Sequence, residues 1–148
     1  MMFVNGAPDL MTFELLAIIF SVRNIEGEHM ARYVDGFIIP IKKKDLKAYK
    51  KMATIGCKVW MEHGALDYYE CVGNSLETPF GISFTKLCKL KPNETVIFAF
   101  VIYKSKAHAA QVNKKVHSDP RMKPENFTSM PFDMKRFTVG KFETLVRA

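Results

Sequence analysis

Thr95–Tyr103 reads TVIFAFVIY. These nine residues carry no charge, no Pro and no Gly. The β-branched and aromatic types that fit a pleated surface dominate the run. A turn, Lys91-Pro92-Asn93-Glu94, precedes it, and Lys104 and Ser105 follow. The run is too short to cross a bilayer and has the length of a central strand buried on both faces. Ser105 then serves as the N-cap of a helix reaching about His117, with Ala109, Val112 and Val116 on its inner side and Asp119-Pro120 ending it.

Upstream, Arg32–Ile41 (RYVDGFIIPI) reads as a strand. Alternation places Tyr33, Asp35, Phe37 and Ile39 on one face and Val34, Gly36 and Ile38 on the other. Asp35 is thus a carboxylate on an apolar face, and Gly36 marks a bulge or a close backbone approach. Lys43–His63 repeats apolar residues at spacings of three and four (Leu46, Tyr49, Ala53, Gly56, Cys57, Trp60), which predicts an amphipathic helix. Its lysines, from Lys43 to Lys58, lie mostly off that stripe, and Gly64 stops it. Ala65–Gly73 (ALDYYECVG) predicts a second strand, with Tyr68, Glu70 and Val72 on one face and Asp67, Tyr69 and Cys71 on the other. Residues 74–91 read as a long loop with a short extended piece at Ile82–Leu87. Arg121–Asp133 reads as a loop carrying Pro124 and Pro131, and Lys135–Val146 as the last strand.

The order strand, helix, strand, strand, helix, strand predicts an α+β ferredoxin-like βαββαβ fold with a four-stranded antiparallel sheet. Both helices cover one sheet face. The other face is also apolar, and an exposed apolar surface of that size is abnormal for a soluble monomer. The expectation is therefore a homodimer in which two sheets face each other, a dimeric α/β barrel.

The chain has 148 residues, 48% hydrophobic and 25% charged, which is the composition of one globular domain. It contains no low-complexity tract and no apolar run of membrane-spanning length, so no membrane partner is expected. The net charge is +7, unevenly spread. Residues 1–29 hold one base and four acids, and residues 30–148 hold 21 bases and 11 acids, or +10. The chain accordingly divides into an N-terminal extension, 1–29, and a single domain, 30–148. The apolar stretch Leu15–Phe20 lacks the basic flank and small-residue cleavage site of a secretion signal. One reading makes the extension a helix over residues 8–22. The other rests on Glu26-Gly27-Glu28, whose codons form a purine-rich string just before Met30, as a bacterial ribosome-binding site does. The expectation is that Met30 is the start. Cys57, Cys71 and Cys88 form no CxxC pair and no disulfide framework, which points to a reducing, cytoplasmic compartment and no metal site. No phosphate-cradling or zinc motif appears, so no cofactor is implied.

Three constellations carry chemistry. Asp35, His63 and Glu70 are the candidate catalytic residues, because a carboxylate beside an imidazole suits proton transfer. The plainer reading is a buried hydrogen bond that orders the sheet. Arg121, Lys135 and Arg136 suit an anion, with Tyr69, Cys71 and Tyr103 as further ligand-contacting candidates. The plainer reading is a structural loop clamp of Asp119, Arg121 and Asp133, in which the two aspartates pair with Arg121 and Arg136. The lysine face of the first helix makes an RNA surface conceivable, but the sheet lacks the aromatic signature of an RNA-binding sheet, and nucleic acid is disfavoured. The leading function is binding, with or without transformation, of a small organic molecule. The alternative is a non-catalytic module binding RNA or protein through the basic surface.

From Met30 onward several motifs occur together: YVDGF at 33–37, HGAL at 63–66, Glu70-Cys71, Y-x-S-K at 103–106, SDPRM at 118–122 and MPFD-x-KR at 130–136. This set resembles the YbaA-like bacterial family, a domain of unknown function, over about 119 residues. The resemblance implies a fold of the dimeric α/β-barrel superfamily and carries no catalytic residue with it. Met134 stands where the family pattern has glycine, and Gly140-Lys141 stands where it has a glycine pair.

Overall fold

The computed structural model describes residues 31–127 and 129–148. The helix expected over residues 8–22 lies outside them, as does the proposed start. The elements are β1 (Tyr33–Lys42), α1 (Leu46–Glu62), β2 (Asp67–Val72), α2 (Phe84–Leu87), β3 (Glu94–Tyr103), α3 (Lys106–Ser118) and β4 (Thr138–Glu143). The sheet order is β2-β3-β1-β4, and every neighbouring pair is antiparallel. Each βαβ unit is split by a strand of the other: β3 lies between β1 and β2, and β1 lies between β3 and β4. This is the ferredoxin-like arrangement expected from the element order.

Local signals explain where the helices begin and end. Ser105 Oγ accepts from the backbone N–H of His108 and caps α3. At the end of α1, Gly64 has φ +107°, which an L side chain resists. Its N–H donates to the Met61 carbonyl at 3.2 Å, and the Ala65 N–H donates to the Trp60 carbonyl at 3.0 Å. Those two bonds satisfy carbonyls that the end of α1 leaves open.

The structure corrects three expectations. Ile82–Leu87 is not extended: Ser83 Oγ accepts from the Lys86 N–H and caps the single-turn α2. A serine at that spacing offers the backbone a helical start that apolar pattern alone does not reveal. Lys135 and Arg136 belong to a 3-10 turn, Met134–Arg136, because the Asp133 carboxylate accepts the Lys135 N–H and holds the chain in a turn before β4. β3 is not buried on both faces. Ile97, Ala99, Val101 and Tyr103 are buried under the helices, whereas Phe98 on the other face is 46% exposed. The sheet of one chain is open, with β2 and β4 as its edges; the expected barrel, which needs a second copy, is not formed by it.

The two core clusters lie between sheet and helices, while Val96 of β3, 2% exposed, is buried on the opposite face. One cluster joins Val59 and Ala65 to Val101, Tyr103, Val112 and Val116, and the other joins Tyr49 and Ala53 to Ile39, Ile41 and Ile97. Val59, fully buried, widens the apolar stripe of α1 beyond Leu46, Tyr49, Ala53, Gly56, Cys57 and Trp60. On the uncovered face Gly36 is paired with Gly140, and the Phe142 ring lies against both. A Cβ on either glycine would come within 3.0 Å of that ring. This is the close approach that a glycine in mid-strand implied.

Candidate functional site

A cavity of about 230 Å³ opens between the helix-covered face of the sheet, α1 and the segment between α3 and β4. Its wall is almost entirely apolar. Phe37 from β1 and Trp60 from α1 meet Phe132 and Phe137 from the segment before β4. Met52, Met122 and Met130 fill the gaps between rings with adaptable thioethers. The Phe132 ring stacks on Phe137 at 5.8 Å and meets Tyr49 edge-on at 5.9 Å. The amphipathic stripe of α1 thus does two jobs, because Tyr49, Ala53, Gly56 and Trp60 belong to the core and also form the cavity wall.

One charged side chain stands in this wall among the described residues: Glu70 of β2. Alternation along β2 turns it toward the helices. Tyr49 donates its O–H to one carboxylate oxygen at 2.7 Å, and Tyr68 donates to the other at 2.7 Å. Burial and the adjacent carboxylate push both phenols far above their ordinary range, so both stay protonated. Room for the Tyr68 hydroxyl depends on Gly56, where a Cβ would come within 3.1 Å of it.

Asp35 belongs to a separate network. Its Oδ2 accepts from Tyr103 Oη and from Asn113 Nδ2, each at 3.0 Å, and its Oδ1 meets Lys141 Nζ at 3.2 Å. Tyr103 has one hydroxyl hydrogen, which goes to the charged acceptor. Its oxygen receives the Trp60 indole N–H at 3.1 Å, and the Asn113 side-chain oxygen shares that donor at 3.2 Å. Burial and Asp35 raise the Tyr103 phenol well above its usual range.

His63 lies in a third network, at the junction of the ends of α1 and α3. Its Nε2 is 2.8 Å from Asp119 Oδ2. A carboxylate only accepts, so Nε2 carries the hydrogen. Arg121 reaches Asp119 through its backbone N–H and two guanidinium nitrogens at 2.8–3.0 Å, and it reaches Glu62 at 2.7 Å. These contacts hold the Asp119 carboxyl far below the ordinary range and lower Glu62 as well.

The sequence-derived candidates therefore divide among separate places. Asp35, His63 and Glu70 share no hydrogen bond and have different partners. The cavity contains Glu70 but neither of the other two. Within the loop clamp, Asp119 pairs with Arg121, but Arg136 pairs with Glu94 at 2.8 Å rather than with Asp133. The reason is the turn at Met134–Arg136, where Asp133 caps the Lys135 N–H while the Arg136 guanidinium reaches back to the loop preceding β3 and donates to the Cys88 and Lys89 carbonyls. Tyr69 stacks on Phe100 at 4.9 Å on the uncovered sheet face, where Cys71 is also exposed. Tyr103 is fully buried and Lys135 is exposed. Among the described residues there is no group of three His, Cys, Asp or Glu side chains arranged to hold a metal ion. No helix among them is long and apolar enough to cross a membrane.

Sequence reasoning missed Tyr49, Tyr68 and Asn113 as partners of the acidic residues. For Tyr68 a signal was present, because it shares a strand face with Glu70 two residues away. For Asn113 the signal was its place four residues after Ala109, close to the inner side of α3.

The family model for a protein of unknown function, DUF1428, matches residues 32–134. The chain belongs to the DUF1428 family. Within reach of the family, the chain is 40% identical over 117 residues to the uncharacterized protein YbaA of Escherichia coli strain K12, spanning 78% of this chain and 97% of that one. The same identity and coverage hold for the uncharacterized protein YbaA of Shigella flexneri. Among solved structures, a dimeric ferredoxin-like protein from an uncultured marine organism superposes with a TM-score of 0.51 at 11% identity, covering 80% of this chain and 99% of that one. At that identity the likeness concerns the fold of the DUF1428 domain and nothing further.

Proposed function

We propose that the protein is a homodimeric small-molecule-binding protein whose ligand occupies the cavity beside Glu70. The observation that carries this reading is the cavity itself, an apolar and aromatic enclosure with a single acidic group in its wall. A filled interior would instead have favoured a module that works through its basic surface. Drug-sized sites run to roughly 300–1,000 Å³. This cavity, at about 230 Å³, suits a smaller organic molecule. The homodimer rests on two supports: the uncovered sheet face carrying Phe98, Phe100, Phe142 and Tyr69, and the dimeric state of the structural relative. Two such faces packed together would give the facing-sheet barrel that the sequence suggested.

A set of small aromatic compounds, followed through the methionine methyl signals by NMR, tests the cavity reading. The expected result is a shift at Met52, Met122 and Met130 in the native chain and none in Gly56→Leu, whose added side chain enters the cavity. Silence at all three methyls for every compound would overturn the reading.

A further inference from the structure

The polar side chains turned into the cavity, those of Tyr49, Tyr68 and Glu70, present acceptors alone; Tyr69 borders it too, but its ring stacks on Phe100 on the other sheet face. The O–H hydrogens of Tyr49 and Tyr68 are both spent on the Glu70 carboxylate. Each phenol oxygen therefore presents only lone pairs to anything in the cavity, and Glu70 itself can only accept. The Trp60 N–H is committed to Tyr103 and Asn113. No Lys, Arg or His occurs among the described residues of the wall, and Lys50 lines the adjoining groove on the other side of Tyr49 and Glu70. A ligand carboxylate or phosphate would meet a fixed negative charge with no cation to offset it. A cation meets the opposite situation: one carboxylate, two phenol oxygens, and a wall that includes the aromatic rings of Trp60, Tyr49 and Phe132, a ring type whose quadrupole attracts positive charge.

Resting on the cavity reading above, we infer that the ligand class is a small organic amine, bound as its ammonium ion with an apolar or aromatic body. The ammonium donates to Glu70 and to the tyrosine oxygens. The body packs among Phe37, Phe137 and the methionines. Binding needs no bond making and no co-reactant.

Four probes of one shape separate the inference from the reading beneath it: phenethylammonium, phenethyl alcohol, ethylbenzene and 3-phenylpropionate. Binding of each to the full chain is measured by titration against Trp60 fluorescence. The ammonium is expected to bind roughly tenfold or more tighter than the alcohol, as a charge-assisted contact in an apolar-walled site should. The acid is expected not to bind. Glu70→Gln should bring ammonium and alcohol to within about threefold of each other, with alcohol affinity retained. Alcohol, hydrocarbon or acid binding as well as the ammonium in the native chain would overturn the ammonium assignment and leave the cavity reading standing. Failure of all four, the hydrocarbon included, would remove the cavity reading and the inference together. The comparison within the native chain decides the matter even if Glu70→Gln folds poorly.

Discussion

Asp35 shows how much one side chain can depend on its neighbours. It is 5% exposed and carries a formal charge, yet it has three partners: a phenol, an amide and an ammonium. The two neutral donors come from buried or half-buried side chains, while the Lys141 side chain is 58% exposed. The neutral donors should therefore matter more. Asp35→Ala removes the charged acceptor shared by the Tyr103 hydroxyl and the Asn113 amide, leaving Tyr103 only Asn113 Oδ1 at 3.1 Å, and should cost about 2–4 kcal/mol, read from urea unfolding. Lys141→Ala should cost under about 1 kcal/mol, because an exposed ammonium contributes little. Equal losses for the two variants would show that the ion pair, not the hydrogen-bonded interior, holds Asp35 in place.

At the scale of elements, the junction of α1 with the end of α3 is held by a cluster of polar and charged side chains. Arg121 links Glu62, the last residue of α1, to Asp119, the C-cap of α3, and His63 adds a fourth group. Both carboxyls are held below their ordinary range, chiefly by hydrogen bonds from Arg121. A depressed carboxyl contributes stability that is fully present above its unfolded value, about 4, and is lost as pH falls through the lower folded value. The native chain should thus melt higher than Arg121→Gln by a constant margin from pH 7 to about 5, and that margin should shrink below about pH 4. A margin that holds through pH 2 would mean that Arg121 acts through packing rather than through these carboxyls. The Arg136–Glu94 pair offers a comparison, because Glu94 is also held low by its arginine.

For the whole molecule, the uncovered sheet face is the decisive surface. Phe98 lies on the central strand β3 opposite Ile38 of β1 and Cys71 of β2, and its ring meets Phe100 at 5.4 Å. If two copies pack there, Phe98→Lys should halve the mass seen by sedimentation while leaving the circular dichroism spectrum unchanged. The ring is already 46% exposed in one chain and lies outside both core clusters, so its loss should cost the protomer little. An unchanged dimer mass would place the interface elsewhere.

Element order and fold class were legible in the sequence because each rests on local pattern. The period of two around Asp35, the three-and-four spacing of α1, the Ser105 cap and the Gly64 stop each act within one turn or one strand. The ferredoxin-like order then follows from chain connectivity. Tyr49 and Trp60 of the cavity wall were visible as members of an apolar stripe, but their chemical roles were not. Pairing is a long-range property: Tyr49 meets Glu70 across 21 positions, His63 meets Asp119 across 56, and Tyr103 meets Asp35 across 68. Local pattern carries no record of such distances. The sequence by itself determined which residues could form strands and helices and that Asp35 would lie on an apolar face. Only the tertiary structure decided that Asp35, His63 and Glu70 serve three different networks, and that Glu70 alone stands at the cavity, because the choice of partner depends on how sheet and helices pack.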